Sequence, residues 1–110
     1  MIIVDDMRPE IHSWGNSMAI TPNIDSLVMK GVSFKRAYAQ YANCSPSRMS
    51  FLTGISPENL GHKGNYNDKT QFRSHFTLPG YMKNHGYKTY SFGKVYLDIR
   101  DDCLSWDHIY

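Results

Sequence analysis

The sequence predicts an α/β fold, a layered sheet with flanking helices. Three observations carry that expectation. Runs of β-branched and aromatic residues at Ile2-Ile3-Val4, Val32 to Tyr38 and Tyr87 to Phe92 read as strands. Between them lie segments bracketed by helix-start and helix-stop residues, from Thr21-Pro22 to Gly31, from Ser45-Pro46 to Gly54 and from Thr77 to Gly86. The resulting order, β-loop-α-β-α-loop-α-β, alternates the two element types as a layered α/β arrangement requires.

Each element has its own local reason. Ile2-Ile3-Val4 is a short β-branched run of the kind found in buried strands, and Asp5-Asp6 follows at its carboxyl end. Met7 to Ala19 contains Pro9 and Gly15 and reads as a loop. Thr21 suits an N-cap and Pro22 the first turn of a helix; Asp25 and Lys30 complement its dipole, Ile24, Leu27 and Val28 form one apolar face, and Gly31 ends it. Val32, Phe34, Arg36 and Tyr38 then alternate with smaller or polar residues, a strand pattern.

The second helix is predicted from Ser45 as N-cap and Pro46 as first helical residue to Gly54 as a left-handed stop. Ile55 to Phe76 is a long polar segment, and loops of that length in small domains are commonly functional. Tyr66, Asp68 and Arg73 within it are candidates for contact with a sugar or its carboxylate, or for simple solvation. Thr77 caps a third helix over Leu78 to His85, with Tyr81 and Met82 expected to face inward. Tyr87 to Phe92 is the last predicted strand and runs into Gly93-Lys94, while Asp98 to Tyr110 has no clear pattern. The long loops in 110 residues leave little core, so the chain is expected to be one end of a larger domain.

The totals exclude some functions. A formal net charge of +2 does not argue for nucleic acid or an anionic membrane. No apolar run approaches the ~20 residues of a membrane-spanning helix. The opening residues lack the basic and long apolar regions of a signal peptide. Two cysteines, Cys44 and Cys103, do not make a disulfide framework. Trp14 and Trp106 read as packing residues.

Three features follow predicted strands and would converge if the strands lie side by side: Asp5-Asp6, the turn from Cys44 to Arg48, and Lys94. Adjacent carboxylates suit a hard divalent cation with a preference for oxygen. Cys44 would sit just ahead of a helix N-terminus, where the dipole and unpaired amides favour anions, and Arg48 adds a planar cationic fork about one turn into that helix. With Lys94 and a cation, the set suits a doubly charged tetrahedral anion and so sulfate or phosphate ester chemistry. Taken singly, Cys44 also suits a packing thiol, Asp5-Asp6 a solvated turn, and Lys94 an exposed lysine after glycine.

The run Cys44-Ser45-Pro46-Ser47-Arg48 with Leu52-Thr53-Gly54 resembles the signature of the type I, formylglycine-dependent sulfatases. The resemblance continues in register through Ile2 to Asp6, Thr21-Pro22-Asn23-Ile24-Asp25, Tyr38-Ala39-Gln40, Gly86-Tyr87, Gly93-Lys94-Val95-Tyr96, Asp101-Asp102 and Ser105-Trp106. Within the family it points to a branch acting on uronate-containing glycans.

It implies an alkaline-phosphatase-like fold, of which residues 1–110 are the N-terminal portion. It also implies a sulfuric ester hydrolase acting on sulfated glycans of the glycosaminoglycan kind. A separate formylglycine-generating enzyme oxidises the cysteine to formylglycine, whose hydrated aldehyde attacks sulfur and then expels sulfate. By this resemblance Cys44, Arg48 and Lys94 are catalytic, and Asp5, Asp6 and modified Cys44 bind Ca²⁺. The family's setting is lysosomal, extracellular or periplasmic.

Two departures stand out. Tyr96 and Leu97 occupy positions where the family carries a His after its Lys, and the remaining metal and sulfate ligands belong to a later segment. The competing readings are a truncated, inactive sulfatase-like remnant or binding module, and a phosphoryl-transfer relative. The Cys-Ser-Pro-Ser-Arg run opposes the latter, since a phosphatase would present Ser or Thr as nucleophile.

Overall fold

The computed structural model describes residues 1–60, 76–96 and 102–110. The expectations for Tyr66, Asp68, Arg73 and Leu97 lie outside the described residues. The chain divides into two compact units, Met1–Tyr38 and Ala39–Tyr110.

The first unit is built on α1 (Pro22–Lys30) and a 3-10 turn at His12–Trp14. Asp25 joins the two. Its Oδ1 accepts from the Ser13 amide at 3.0 Å and its Oδ2 from the Thr21 hydroxyl at 3.1 Å. Thr21 Oγ1 in turn accepts from the His12 amide at 3.1 Å, so this N-cap hydroxyl serves the 3-10 turn and the Asp25 carboxylate rather than the backbone amides of its own helix. Burial disfavours the Asp25 carboxylate, but the hydrogen bonds from Ser13 and Thr21 and the nearby His12 outweigh it and hold its pKa below the ordinary value. Ile11 is buried, and half-buried Trp14 donates from its indole to Ser33 Oγ at 2.8 Å, as a packing residue with a polar handle should.

Two expected strands are not formed. Ile2-Ile3-Val4 has no regular structure and Val32 to Tyr38 holds only a turn at Lys35-Arg36, and Ile2, Val32, Phe34 and Tyr38 are exposed. β-branched and aromatic residues record a preference for a pleated, half-buried surface, and a strand exists only where a ladder partner is in register. No such partner occurs among the described residues. Gly31 ends α1 as expected, though with extended rather than left-handed backbone.

The second unit holds α2 (Cys44–Thr53), α3 (Leu78–Asn84), β1 (Tyr90–Ser91), a 3-10 turn at Cys103–Ser105 and β2 (His108–Ile109). Ser45, Arg48, Met49 and Leu52 repeat at helical spacing and make the buried stripe of α2. Met49 and Leu52 pack with Tyr96, and Leu60, Val95 and Trp106 close around them. Burying two such aliphatic side chains contributes about 1.5–3 kcal/mol each. The end of α2 is as read from the sequence: Gly54 is left-handed at φ 71° and its amide donates to Ser50 O at 2.8 Å.

The start of α2 lies two residues earlier than expected. Asn43 is the cap, its carbonyl accepting from the Ser47 amide at 3.1 Å, and Cys44 is already helical. Pro46 falls at the third helical position, where the missing N–H still costs no intrahelical bond. In α3, Thr77 caps by accepting from the Gly80 amide at 3.2 Å. Tyr81 departs from expectation and is exposed, its ring against His85 with centroids 4.1 Å apart.

β1 and β2 pair in parallel, Tyr90 with His108 and Ser91 with Ile109. The expected strand over Tyr87 to Phe92 is thus shorter, and its partner lies in the stretch without a clear pattern. Tyr90 stacks on His108 and Phe92 on Tyr110 along one exposed side of the pair. A parallel pair carried with helices fits the α/β class, while its two short strands are less than the layered sheet expected.

Candidate active site

Cys44 occupies the first residue of α2, half-buried and unbonded to Cys103, which is also a free thiol. The backbone amides of this first turn have no helical acceptors, so the position has positive potential. The Asn43 side-chain oxygen beside it is buried and has no hydrogen-bond partner.

Arg48 lies one turn further and is 4% exposed. Its Nη1 donates to the carbonyl oxygens of Lys94 at 2.7 Å and Val95 at 3.0 Å. The helix that carries Cys44 is thereby bound to the turn that carries Lys94. Gly93 opens that turn with φ 65°, and its amide donates to Tyr110 O at 3.0 Å, so the turn also closes onto β2. The side chain of Lys94 is exposed. Of the residues expected to act together, the structure therefore brings Arg48 and the Lys94 main chain into contact, with Cys44 on the same helix as Arg48.

Asp5 and Asp6 lie at a turn in the first unit, both exposed, with Asp6 left-handed at φ 54°. Their carboxylates have the right donor chemistry for Ca²⁺, which takes 6–8 oxygens. Among the described residues no three His, Cys, Asp or Glu side chains gather as a metal site. Asp5 and Asp6 thus fit as part of a donor set and do not complete one.

Sequence reasoning missed the cluster around Asp102. Tyr96 Oη donates to Asp102 Oδ2 at 2.8 Å, Thr77 Oγ1 to the same oxygen at 2.7 Å, and Ser105 Oγ to Oδ1. Asp102, Thr77 and Ser105 are all buried. The one local signal was the Asp-x-x-Ser spacing of Asp102 and Ser105, a turn pattern. The cluster commits the Tyr96 hydroxyl to Asp102, away from proton transfer.

The family model for Sulfatase matches residues 1–102. The chain is 41% identical over 106 residues to iduronate 2-sulfatase of Mus musculus and 42% identical over 100 residues to the Homo sapiens protein of that name. Each match covers 87% of this chain and 18% of the relative. N-sulphoglucosamine sulphohydrolase of Homo sapiens is 31% identical over 100 residues, covering 88% of this chain and 20% of its own. The chain thus spans about a fifth of the length of these relatives. A family match over nearly the whole chain, centred on a helix that begins at Cys44 and is tied through Arg48 to the Lys94 turn, makes this chain a member of the sulfatase family.

Proposed function

We propose that the chain carries the nucleophile segment of a sulfuric ester hydrolase of the iduronate-2-sulfatase kind, acting on sulfated glycans. The observation that carries the reading is the Arg48 bond to the Lys94 carbonyl, which couples the helix of Cys44 to the turn of a second cation. The names of two relatives support a sulfated uronate as substrate. The alkaline-phosphatase-like fold follows from the family and is supported here by parallel strands carried with helices.

Cys44 is the residue that a formylglycine-generating enzyme would convert. When formed, formylglycine supplies an aldehyde hydrate as the nucleophile toward sulfur. The chain's own residues do the rest. The first turn of α2 offers positive potential to the ester's oxygens. Arg48, one turn beyond Cys44, holds that helix and the Lys94 turn in one arrangement. Lys94 is exposed and carries a compact ammonium suited to a sulfuryl oxygen. Asp5 and Asp6 would contribute oxygens to a Ca²⁺ ion, which when bound would offset charge on the sulfate.

Mass spectrometry of the Cys44 peptide, after co-expression with the formylglycine-generating enzyme, tests the reading. Replacement of the thiol by an aldehyde supports it, and an unmodified thiol rejects it. A second reading, a sulfatase-like module that binds without turnover, is favoured by one observation: Tyr96, near the family's His position, is buried on Asp102. Converted Cys44 without hydrolysis of an aryl sulfate would select it.

A further inference from the structure

We propose that Tyr96, held by Asp102, is a positioning residue for Lys94. The inference rests on the sulfatase reading, because it takes Lys94 as the cation that faces sulfate.

The main chain around Lys94 is fixed from two sides. On one side Arg48 Nη1 donates to the carbonyls of Lys94 and Val95. On the other, Tyr96 is 7% exposed and packs with Met49 and Leu52. Its hydroxyl reaches Asp102 Oδ2 at 2.8 Å. Asp102 is itself immobilised by Thr77 and Ser105. Thr77 is fully buried and also caps α3. Asp102 takes a left-handed backbone, φ 56°, a conformation that costs a non-glycine residue energy and persists where surroundings determine it.

Packing alone does not account for this arrangement. A phenylalanine ring would fill the same space against Met49 and Leu52. The phenol adds direction: a buried hydrogen bond to a carboxyl oxygen pins the ring, and with it the backbone two residues beyond Lys94. That matters because a lysine side chain has many rotamers, so the ammonium's accuracy depends on a fixed Cα. Displacement of a reacting group by about 1 Å costs about a hundredfold in rate. The Arg48 and Tyr96 anchors flank the one exposed cation of the turn.

The test uses the whole protein, expressed with its maturing enzyme, and the variants Tyr96→Phe, Lys94→Ala and the double variant, assayed on an aryl sulfate. Tyr96→Phe is expected to lower kcat about tenfold with a smaller change in KM, and to change kcat little once Lys94 is alanine. Amide exchange at Val95 and Tyr96 is expected to quicken in Tyr96→Phe, while that of Met49 to Leu52 stays as in the parent. Unchanged exchange, unchanged kcat, or a full Tyr96→Phe effect without Lys94 would overturn the positioning role alone. Lys94→Ala with parental activity, or a parent that hydrolyses no aryl sulfate, would overturn the sulfatase reading and this role with it.

Discussion

The Nη1 atom of Arg48 lies 2.7 Å from the carbonyl oxygen of Lys94 and donates to it across 46 residues of chain. The sequence reading gave both residues to the substrate anion. In the structure, one of them organises the other's backbone. A buried guanidinium bonded to two successive carbonyls acts as a clamp between α2 and the turn after β1, and that clamp sets where Lys94 starts.

Removing the clamp should be costly. Arg48→Ala strips charge-assisted donors from two carbonyls and leaves a gap in the buried stripe of α2. Hydrogen bonds to charged groups contribute about 1.5–3 kcal/mol each, and effects at one residue overlap, so a loss of about 3 kcal/mol is expected. Arg48→Lys should recover only part of it, because an ammonium lacks the planar fork. Urea unfolding of the three proteins checks both statements.

Lys94 is predicted to matter for turnover and not for folding. Its side chain is exposed, and alanine retains the main-chain carbonyl that Arg48 holds. Under the proposed function, Lys94→Ala should lower kcat by about 10²–10³, the range for losing one preorganised electrostatic contact. The unfolding midpoint should stay with the parent. Steady-state kinetics on an aryl sulfate, set beside urea unfolding, reads both quantities. A large fall in stability would place Lys94 among structural residues.

A pH signature is expected from Asp107. Its carboxyl is held below the usual aspartate range, chiefly by the hydrogen bond from the Thr89 amide at 2.8 Å, with burial opposing and Lys83 and Lys88 adding attraction. A lowered folded pKa means the carboxylate stabilises the fold above the unfolded value of about 3.9, and that this contribution disappears as pH falls through the folded pKa. Asp107→Asn should therefore be less stable than the parent near neutral pH, with the gap closing in acid. Urea midpoints from about pH 6 to about pH 2.5 would show it. A gap independent of pH would mean that the lost interaction does not depend on charge.

Helices were legible where one residue's chemistry decides a boundary. Thr77 caps α3 and Gly54 closes α2, because a hydroxyl beside free amides and a glycine at positive φ act locally. The start of α2 slipped by two residues, since Asn43 and Ser45 are both competent caps and proline is tolerated throughout the first turn. Strands were legible only within Tyr87 to Phe92, where Tyr90 and Ser91 form β1. Val32 to Tyr38 has the right pattern and no partner among the described residues, whereas His108 and Ile109 pair with Tyr90 and Ser91 without a pattern to announce them. At the site, motif register singled out Cys44, Arg48 and Lys94. The Asp102 cluster joins residues up to 28 positions apart, and no local spacing reveals such a meeting.

Gly54 offers a separate test of backbone conformation. At φ 71° it occupies a region that suits glycine, and a Cβ built there meets nothing within 4 Å. Gly54→Ala should then cost only the left-handed penalty of about 1–2 kcal/mol, with no steric addition. Gly54→Asn should cost less than alanine, because asparagine tolerates this region. Thermal melting of the two variants ranks them, and alanine equal to glycine would show that the helix end relaxes.

Thr77 should be the most sensitive small residue in the second unit. Its hydroxyl oxygen accepts from the Gly80 amide, donates to Asp102 at 2.7 Å and lies 3.1 Å from Ser105 Oγ, all with no solvent exposure. Thr77→Val keeps the volume and removes every one of these contacts. It leaves the Gly80 amide without its cap and Asp102 short of a donor, and buried unsatisfied groups cost about 1–3 kcal/mol each. Thr77→Ser keeps the hydroxyl and loses one methyl, for about 1 kcal/mol. Valine should thus be the worse substitution although it preserves shape, and the order of urea midpoints should be parent, serine, valine. The reverse order would mean that the methyl's packing, rather than the hydroxyl's bonds, holds α3 to the Asp102 turn.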